Sequence, residues 1–341
     1  MRAHKIAHRF AAVSLIAGLL AVAGPAREAS LRAEQGSAGT LLVGIGIHVE
    51  PFGLEDGVIV STGRSGSYDN EAYFRRHAEL LRSLMATIEA HGGRATIQVQ
   101  SPFTDSCVKY GDNVIGELAA RGHEIAFHFH EDAHLGSDSE DLAVERWIEV
   151  MGSQLATIRA LGVERVRMFS GGNLYPHVLE AAAAVGLDVM SDWKNPRTQD
   201  ADPRLQVTTP WRPSGGPSEA TMRAFLRHNA NAAVVYLPTG AIEPKAMHED
   251  EINAAADPAR ALQDYWTDGL SGSLSMVASK PSVTHVFHLT LHPGELQGNS
   301  YGGDRTLERW LQDEIDPLVA SGKAQWATYS QMKDAFAAAG R

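Results

Sequence analysis

Fifteen histidines are spread along the 341 residues, and a few of them keep company that could do chemistry. His128, His130 and His134 fall within the seven residues His128-Phe129-His130-Glu131-Asp132-Ala133-His134. His48 and Glu50 share Ile47-His48-Val49-Glu50-Pro51, Asp192 precedes Trp193, and His288, Thr290 and His292 alternate towards Pro293. Burying three titratable rings so close together is costly unless they share a partner. At least two of His128, His130 and His134 are therefore expected to ligate a metal, with Glu50 as the carboxylate ligand. If the turn after His130 is helical, His134 at i+4 returns beside it, the usual way one element offers two imidazoles to one ion. Two or three neutral imidazoles and a carboxylate suit Zn or another divalent transition metal, which would lower the pKa of a bound water to about 7 and polarise a carbonyl. Cys107 is the only cysteine, so neither an intramolecular disulfide nor a thiolate zinc site can form; it is read as a small buried hydrophobe. Ser170-Gly171-Gly172 lacks the flanks of a nucleophile elbow, and Gly171 and Gly172 are read as permitting close approach of backbone or ligand.

These residues need strands to position them. Apolar runs of strand length bounded by turn residues occur at Leu41 to Val49, Ala95 to Val99, Glu124 to His130, Arg165 to Phe169, Leu187 to Asp192, Ala232 to Leu237, His285 to Leu291 and Gln325 to Tyr329. Between them lie segments with helical spacing, such as Tyr73-Leu80-Leu81-Leu84-Ile88 and Leu142-Trp147-Val150-Met151-Leu155-Ile158, several followed by a glycine stop. Strands alternating with helices predict a parallel sheet, open or closed into a barrel, with function gathered at the carboxyl ends of the strands. Period-two alternation puts His48 with Glu50, His128 with His130, and His288 with Thr290 and His292 on shared faces, while Phe127 and Phe129 face the helices. His123, before its strand, is expected to face outward, and the Pro- and Gly-rich stretch 195–230 is read as a loop over one mouth.

Charge narrows the partners. Forty-one acidic against thirty basic residues, a formal charge of -11, disfavour capture of nucleic acid or anionic lipid, both of which need a dense positive patch. Residues 1–26 read as an export signal: Arg2, Lys5 and Arg9 precede an apolar run from Phe10 to Gly24 and a small-residue Ala21-Val22-Ala23 cleavage pattern. The run is short for a transmembrane helix, which needs about 20 residues, so no stable membrane insertion is expected after cleavage. Loss of its three positive charges would take the chain to -14. Residues 27–39 read as a linker, 40–341 as one catalytic domain, and the destination as the bacterial periplasm or exterior.

Gly122-His123-Glu124-Ile125-Ala126-Phe127-His128 resembles the "GHEIxxH" stretch of the polysaccharide deacetylase (NodB-homology) family of metal-dependent carbohydrate esterases. FSGGNLYPHVLEAAAAVGLDVMSDW, from Phe169 to Trp193, is similar to that family's third and fourth motifs, and His292 in LTLHP resembles the histidine of the fifth. The resemblance implies a distorted (β/α)7 barrel, a carbohydrate polymer as substrate, His128 and Glu50 on the metal, Asp192 and Trp193 near the substrate, and His292 as general acid. The first motif departs from the family's adjacent acidic pair, having His48-Val49-Glu50, so His48 or Glu50 stands as base. Asp132, not a histidine, lies at i+4 from His128. The metal is then held by His128 and Asp132, or by a register of His128, His130 and His134 with Asp132 behind; strand-face alternation favours the second. The implied reaction is removal of an N- or O-acetyl group by metal-activated water, with Asp192 orienting His292 and Trp193, Trp211 and Tyr236 available for stacking on a sugar. Two alternatives carry the same residues: a glycoside hydrolase pairing Glu50 with Asp192, or Glu131 with either, or an inactive carbohydrate-binding homologue.

Overall fold

A computed structural model describes residues 39–50, 52–55, 58–61, 68–297 and 301–340, the span 52–61 by its backbone alone. The expected export signal and all but the last residue of the linker lie outside the described residues. Among the described residues there are ten strands: β1 Leu41–Val49, β2 Phe52–Glu55, β3 Val58–Ser61, β4 Thr96–Val99, β5 Glu124–Phe129, β6 Met168–Gly171, β7 Val189–Ser191, β8 Val235–Leu237, β9 His285–Leu291 and β10 Ala324–Trp326. The helices are α1 Glu71–Ala90, α2 Phe103–Tyr110, α3 Val114–Ala120, α4 Glu131–Leu135, α5 Val144–Ala160, α6 Val178–Ala184, α7 Met222–Phe225, α8 Glu249–Ala254, α9 Pro258–Ser279, α10 Asp304–Trp310, α11 Asp316–Ala320 and α12 Tyr329–Ala338.

Seven parallel strands, in the order β9-β1-β4-β5-β6-β7-β8, make a nearly closed barrel. The short β10 pairs with the start of β1, below the point where β4 takes over. β2 and β3 form a separate antiparallel hairpin between β1 and α1. Among the described residues no ladder joins β8 to β9; there Val286 N–H donates to the Thr208 carbonyl at 2.7 Å and His288 N–H to that of Thr239 at 3.2 Å. The 195–230 stretch is thus more than a cover over a mouth: Thr208 serves β9, Trp211 bridges to Tyr236 of β8, and His228 lies against Phe336 of α12. Its course follows from the gap, whose exposed backbone groups need partners.

Alternation along β1 explains the barrel's layering. Leu41, Val43, Ile45, Ile47 and Val49 point outward into one apolar core with α1 and its neighbours, whereas Leu42 joins Ala126, Met168, Val189, Val235 and Val286 in a second cluster that α12 closes with Tyr329, Met332 and Phe336. Above Leu42 the inner face continues with Gly44 and Gly46. A Cβ at Gly44 would meet Met332 Cε at 2.7 Å, and one at Gly46 would collide with the Tyr329 hydroxyl, so both glycines make room for the plug. Only then come His48 and Glu50.

The helices follow their apolar spacing. In α1, Asn70 caps the first turn by accepting from the backbone of Ala72 and Tyr73, and Phe74, Leu81, Leu84 and Ile88 are buried. α5 buries Trp147, Met151, Leu155 and Ile158 against Phe129, with Trp147 stacked on Tyr175 at 4.2 Å. Three expectations need correction. His123 is buried, accepting from Ala95 N–H and pairing with Glu89, because the turn after α3 folds it under β4. The sixth strand begins at Met168, three residues beyond the expected Arg165, since Arg167 is tied to Asp188 and Asp334 at the barrel floor. Tyr329 opens α12 instead of ending a strand, because Thr328 and Gln331 form a capping box there. Cys107 lies buried in α2 as expected, and burial pushes its thiol up to about 12.

Candidate active site

At the carboxyl mouth of the barrel the buried carboxylate of Glu50 is the centre of a ring of imidazoles. His128 Nε2 lies 3.2 Å from its Oε2, His130 Nε2 contacts the same oxygen, and His292 Nε2 lies 2.7 Å from Oε1. β1, β5 and the end of β9 deliver these groups by the alternation expected of them, since β1 pairs in register with β9 up to Ile47 and Leu291. His48 stacks on His128 with centroids 4.0 Å apart. The Tyr68 hydroxyl donates to the Glu50 carbonyl at 2.9 Å and lies 2.5 Å from His77 Nδ1, which pins the backbone where the strand ends.

Each of three imidazoles keeps its other nitrogen on a fixed partner. His48 Nε2 is 3.3 Å from Asp192 Oδ2, His128 Nδ1 is 2.6 Å from Ser170 Oγ, and His292 Nδ1 is 3.1 Å from Glu295 Oε2. Asp192 also accepts from Gln98 Nε2 at 3.0 Å and from Thr290 Oγ1 at 2.8 Å. Its backbone sits at φ 62°, a left-handed conformation that persists in a non-glycine residue only where its surroundings hold it. Glu295, three residues after His292, is buried, accepts from the His292 backbone N–H at 2.9 Å and is paired with the Lys245 ammonium.

The electrostatics follow. Burial pushes the Glu50 carboxyl up, but the imidazoles that surround it hold it well below the usual carboxylate range, with His130 and His292 as hydrogen-bond donors. Burial, reinforced by His48, drives His128 down to about 3, so its ring is neutral. Burial opposes charge on His292 too, yet Glu295 and Glu50 raise it to about 9. His130 is likewise raised by Glu50 against the cost of burial. Asp192 is lowered, its burial outweighed by the His48 hydrogen bond, His288 and Gln98.

His48, Glu50 and His128 present donor atoms that all lie within 4.8 Å of one another, the composition of a site able to hold a divalent transition metal. Anchoring of the outer nitrogens on Asp192 and Ser170 is the second layer such ligands need. The expected ligand set is thus redistributed. His48, expected as an acid–base group, joins the donors, whereas His134 stays out: its Nε2 bonds Gln100 Oε1 at 3.0 Å and its ring stacks on Phe129, because α4 turns it towards the helix layer. Asp132 is 77% exposed, 3.8 Å from His130 Nδ1, and reaches neither His128 nor Glu50. Asp192 orients His48, and Glu295 takes the role beside His292 that was expected of Asp192.

The substrate residues fare unevenly. Trp193 is buried, its indole N–H shared between the carbonyls of Asn173 and Pro217. Trp211, half-buried, donates to the Phe225 carbonyl and packs on Tyr236 at 4.8 Å, which ties it to the β8 side of the fold. A Cβ on Gly171 would overlap the Phe129 carbonyl, and one on Gly172 would press on Val178, so both glycines accommodate neighbouring chain, not ligand. Gly172 N–H donates to Glu131 at 3.0 Å, which ties that carboxylate down. Gln98, Gln100, Ser170, Glu295 and Lys245 did not figure among the expected site residues. Gln98 and Gln100 carried a signal, two amides at period two in an otherwise apolar strand, and Glu295 carried one in its i+3 spacing from His292.

No protein-family model and no curated protein matches this chain. Its structure is similar to that of a protein described as a polysaccharide deacetylase from Mycobacterium smegmatis, at 13% identity and a TM-score of 0.56 over 89% of this chain and 92% of that one. A second protein so described, from Pseudomonas aeruginosa, aligns at 13% identity and a TM-score of 0.56 over 86% and 90%. The Puue allantoinase aligns at 12% identity and a TM-score of 0.57 over 87% and 90%. At such identities the likeness is one of fold.

Proposed function

We propose that this chain is an exported, metal-dependent hydrolase of the polysaccharide deacetylase family that removes acetyl groups from an N- or O-acetylated carbohydrate polymer. The observation that carries the reading is the Glu50 carboxylate ringed by His128, His130 and His292, with His48 against His128, at the mouth where barrel enzymes work. Two structurally similar proteins described as polysaccharide deacetylases support the substrate class. A divalent cation, zinc by the donor chemistry, would be held by His48, Glu50 and His128 and would supply Lewis acidity and a water made acidic at neutral pH.

The chain's own groups divide the proton work. His292 Nε2 delivers a proton to the departing amine or hydroxyl, and Glu295 fixes the ring by holding Nδ1. Glu50, the carboxylate on which these imidazoles converge, takes the proton of the attacking water, while His130 Nε2 donates to it and, with its side chain 44% exposed, meets incoming substrate. The test is acetate release from acetylated glycans by the mature protein, with and without chelator. Activity lost on chelation, restored by zinc, and absent in His128→Ala supports the proposal; activity indifferent to both, or cleavage of a chromogenic glycoside without metal, sinks it. Export is checked by the N-terminus of the mature protein, expected near residue 27.

A further inference from the structure

Inside the barrel a chain of side chains links the site's two deepest imidazoles, and donor and acceptor roles along it can be worked out from one end. Both oxygens of the Asp192 carboxylate face donors: Thr290 Oγ1 donates to Oδ1, and Gln98 Nε2 and His48 Nε2 donate to Oδ2. The Gln98 amide is thereby oriented with its Oε1 outward, where it accepts from the Ser170 hydroxyl at 2.5 Å. Ser170 has then spent its one proton, so towards His128 Nδ1, at 2.6 Å, it can only accept. His128 must carry its proton on Nδ1, which leaves Nε2 as a bare lone pair 3.2 Å from Glu50 Oε2.

Two acceptors facing each other in a buried site are unfavourable unless a cation lies between them. The strand register makes the chain possible. Gln98 of β4 is level with Ala126 of β5, and His128 is level with Ser170 of β6. Ala126, small and fully buried, leaves the space across which Gln98 reaches Ser170.

We propose that Gln98 and Ser170 are positioning residues: they carry hydrogen-bond order from Asp192 to His128 and hold His128 as the Nδ1–H tautomer, its Nε2 lone pair turned to Glu50. One carboxylate thereby sets the donor atoms of both His48 and His128. The inference deepens the metal-site reading and rests on it for its purpose, although the tautomer itself exists without metal.

The experiment has two readouts. In metal-stripped full-length protein labelled with 15N-histidine, long-range 1H–15N spectra assign the protonated nitrogen of His128, expected to be Nδ1. Zinc affinity by chelator competition is then compared among wild type, Ser170→Ala, Ser170→Thr and Gln98→Leu. Ser170→Ala and Gln98→Leu are expected to bind zinc about 10- to 100-fold more weakly, the usual cost of losing an outer partner, and Ser170→Thr, which keeps the hydroxyl, to recover most of the loss. A wild-type His128 protonated on Nε2 overturns the proposal even if no variant folds, as do affinities within twofold of wild type in folded Ser170→Ala and Gln98→Leu. Wild-type protein that binds no zinc while showing the Nδ1–H tautomer refutes the metal reading and leaves the hydrogen-bond order standing.

Discussion

Two histidines reach Glu50 from its open side, and only one is fixed from behind. His292 is held through both its backbone N–H and its Nδ1 by Glu295, itself neutralised by Lys245, whereas the Nδ1 of His130, turned away from Glu50, has only exposed Asp132 at 3.8 Å. In the proposed reaction His292→Gln is expected to lower kcat by about 10²- to 10⁴-fold, the range for a lost general acid. Glu295→Gln, which keeps the shape and loses the charge, should cost about 10- to 100-fold. Steady-state acetate release measures both, and an unaltered rate in His292→Gln would remove that residue from the chemistry. At this scale the sequence discloses which strand ends carry imidazole and carboxylate, because period two reports the face. It cannot disclose which groups meet across the barrel. That is why Asp192 was paired with His292 in expectation and with His48 in the structure, and why the single turn of α4 that sends His134 towards Phe129 was not foreseen.

At the scale of elements, α12 is both a plug and a strut. Arg167, just before β6, bonds Asp188 before β7 at 2.8 Å and Asp334 of α12 at 2.7 Å. Burial would raise both carboxyls, but Arg167, assisted by Lys333, holds each below its ordinary value. A carboxylate with a depressed folded-state pKa contributes stability that is present above the unfolded value, about 3.9 for Asp, and is lost as pH falls through the folded value. Thermal midpoints should therefore drop more steeply between pH 5 and pH 3 in the wild type than in the Asp188→Asn/Asp334→Asn double variant. Parallel curves would show that the strut contributes nothing. The strands were legible where apolar runs are long, as at Leu41–Val49 and His285–Leu291, whose bounds match the structure. They were less so at three-residue β7 and β10, where tertiary contacts set the ends.

For the whole molecule the seam between β8 and β9 is the weak line of the barrel. β1 is paired with β9 from Leu41 to Ile47 and on its other side with β10 at its start and β4 at its end, whereas the outer edge of β9 rests on single bonds to Thr208 and Thr239. Opening free energies in native proteins follow such local contact. In hydrogen exchange the amides of Val286 and His288 are expected to lose protection well before those of Val43 and Ile45 in β1, and equal protection would mean that the loop seals the barrel as firmly as a strand would. The alternation of strand and helix was enough to expect a parallel sheet, open or closed, and the family resemblance implied its closure into a barrel. The gap was not legible, because it depends on the three-residue length of β8 and on a loop with no periodic pattern.

The buried thiol of Cys107 gives the protein a practical property. Shielded in α2, with its thiol pushed up by burial, it is expected to resist alkylating reagents in the folded protein. A cysteine introduced at the rim, at exposed Asp132 for example, would then be the sole attachment point for a maleimide dye, and events at the mouth could be followed by fluorescence in an otherwise native chain.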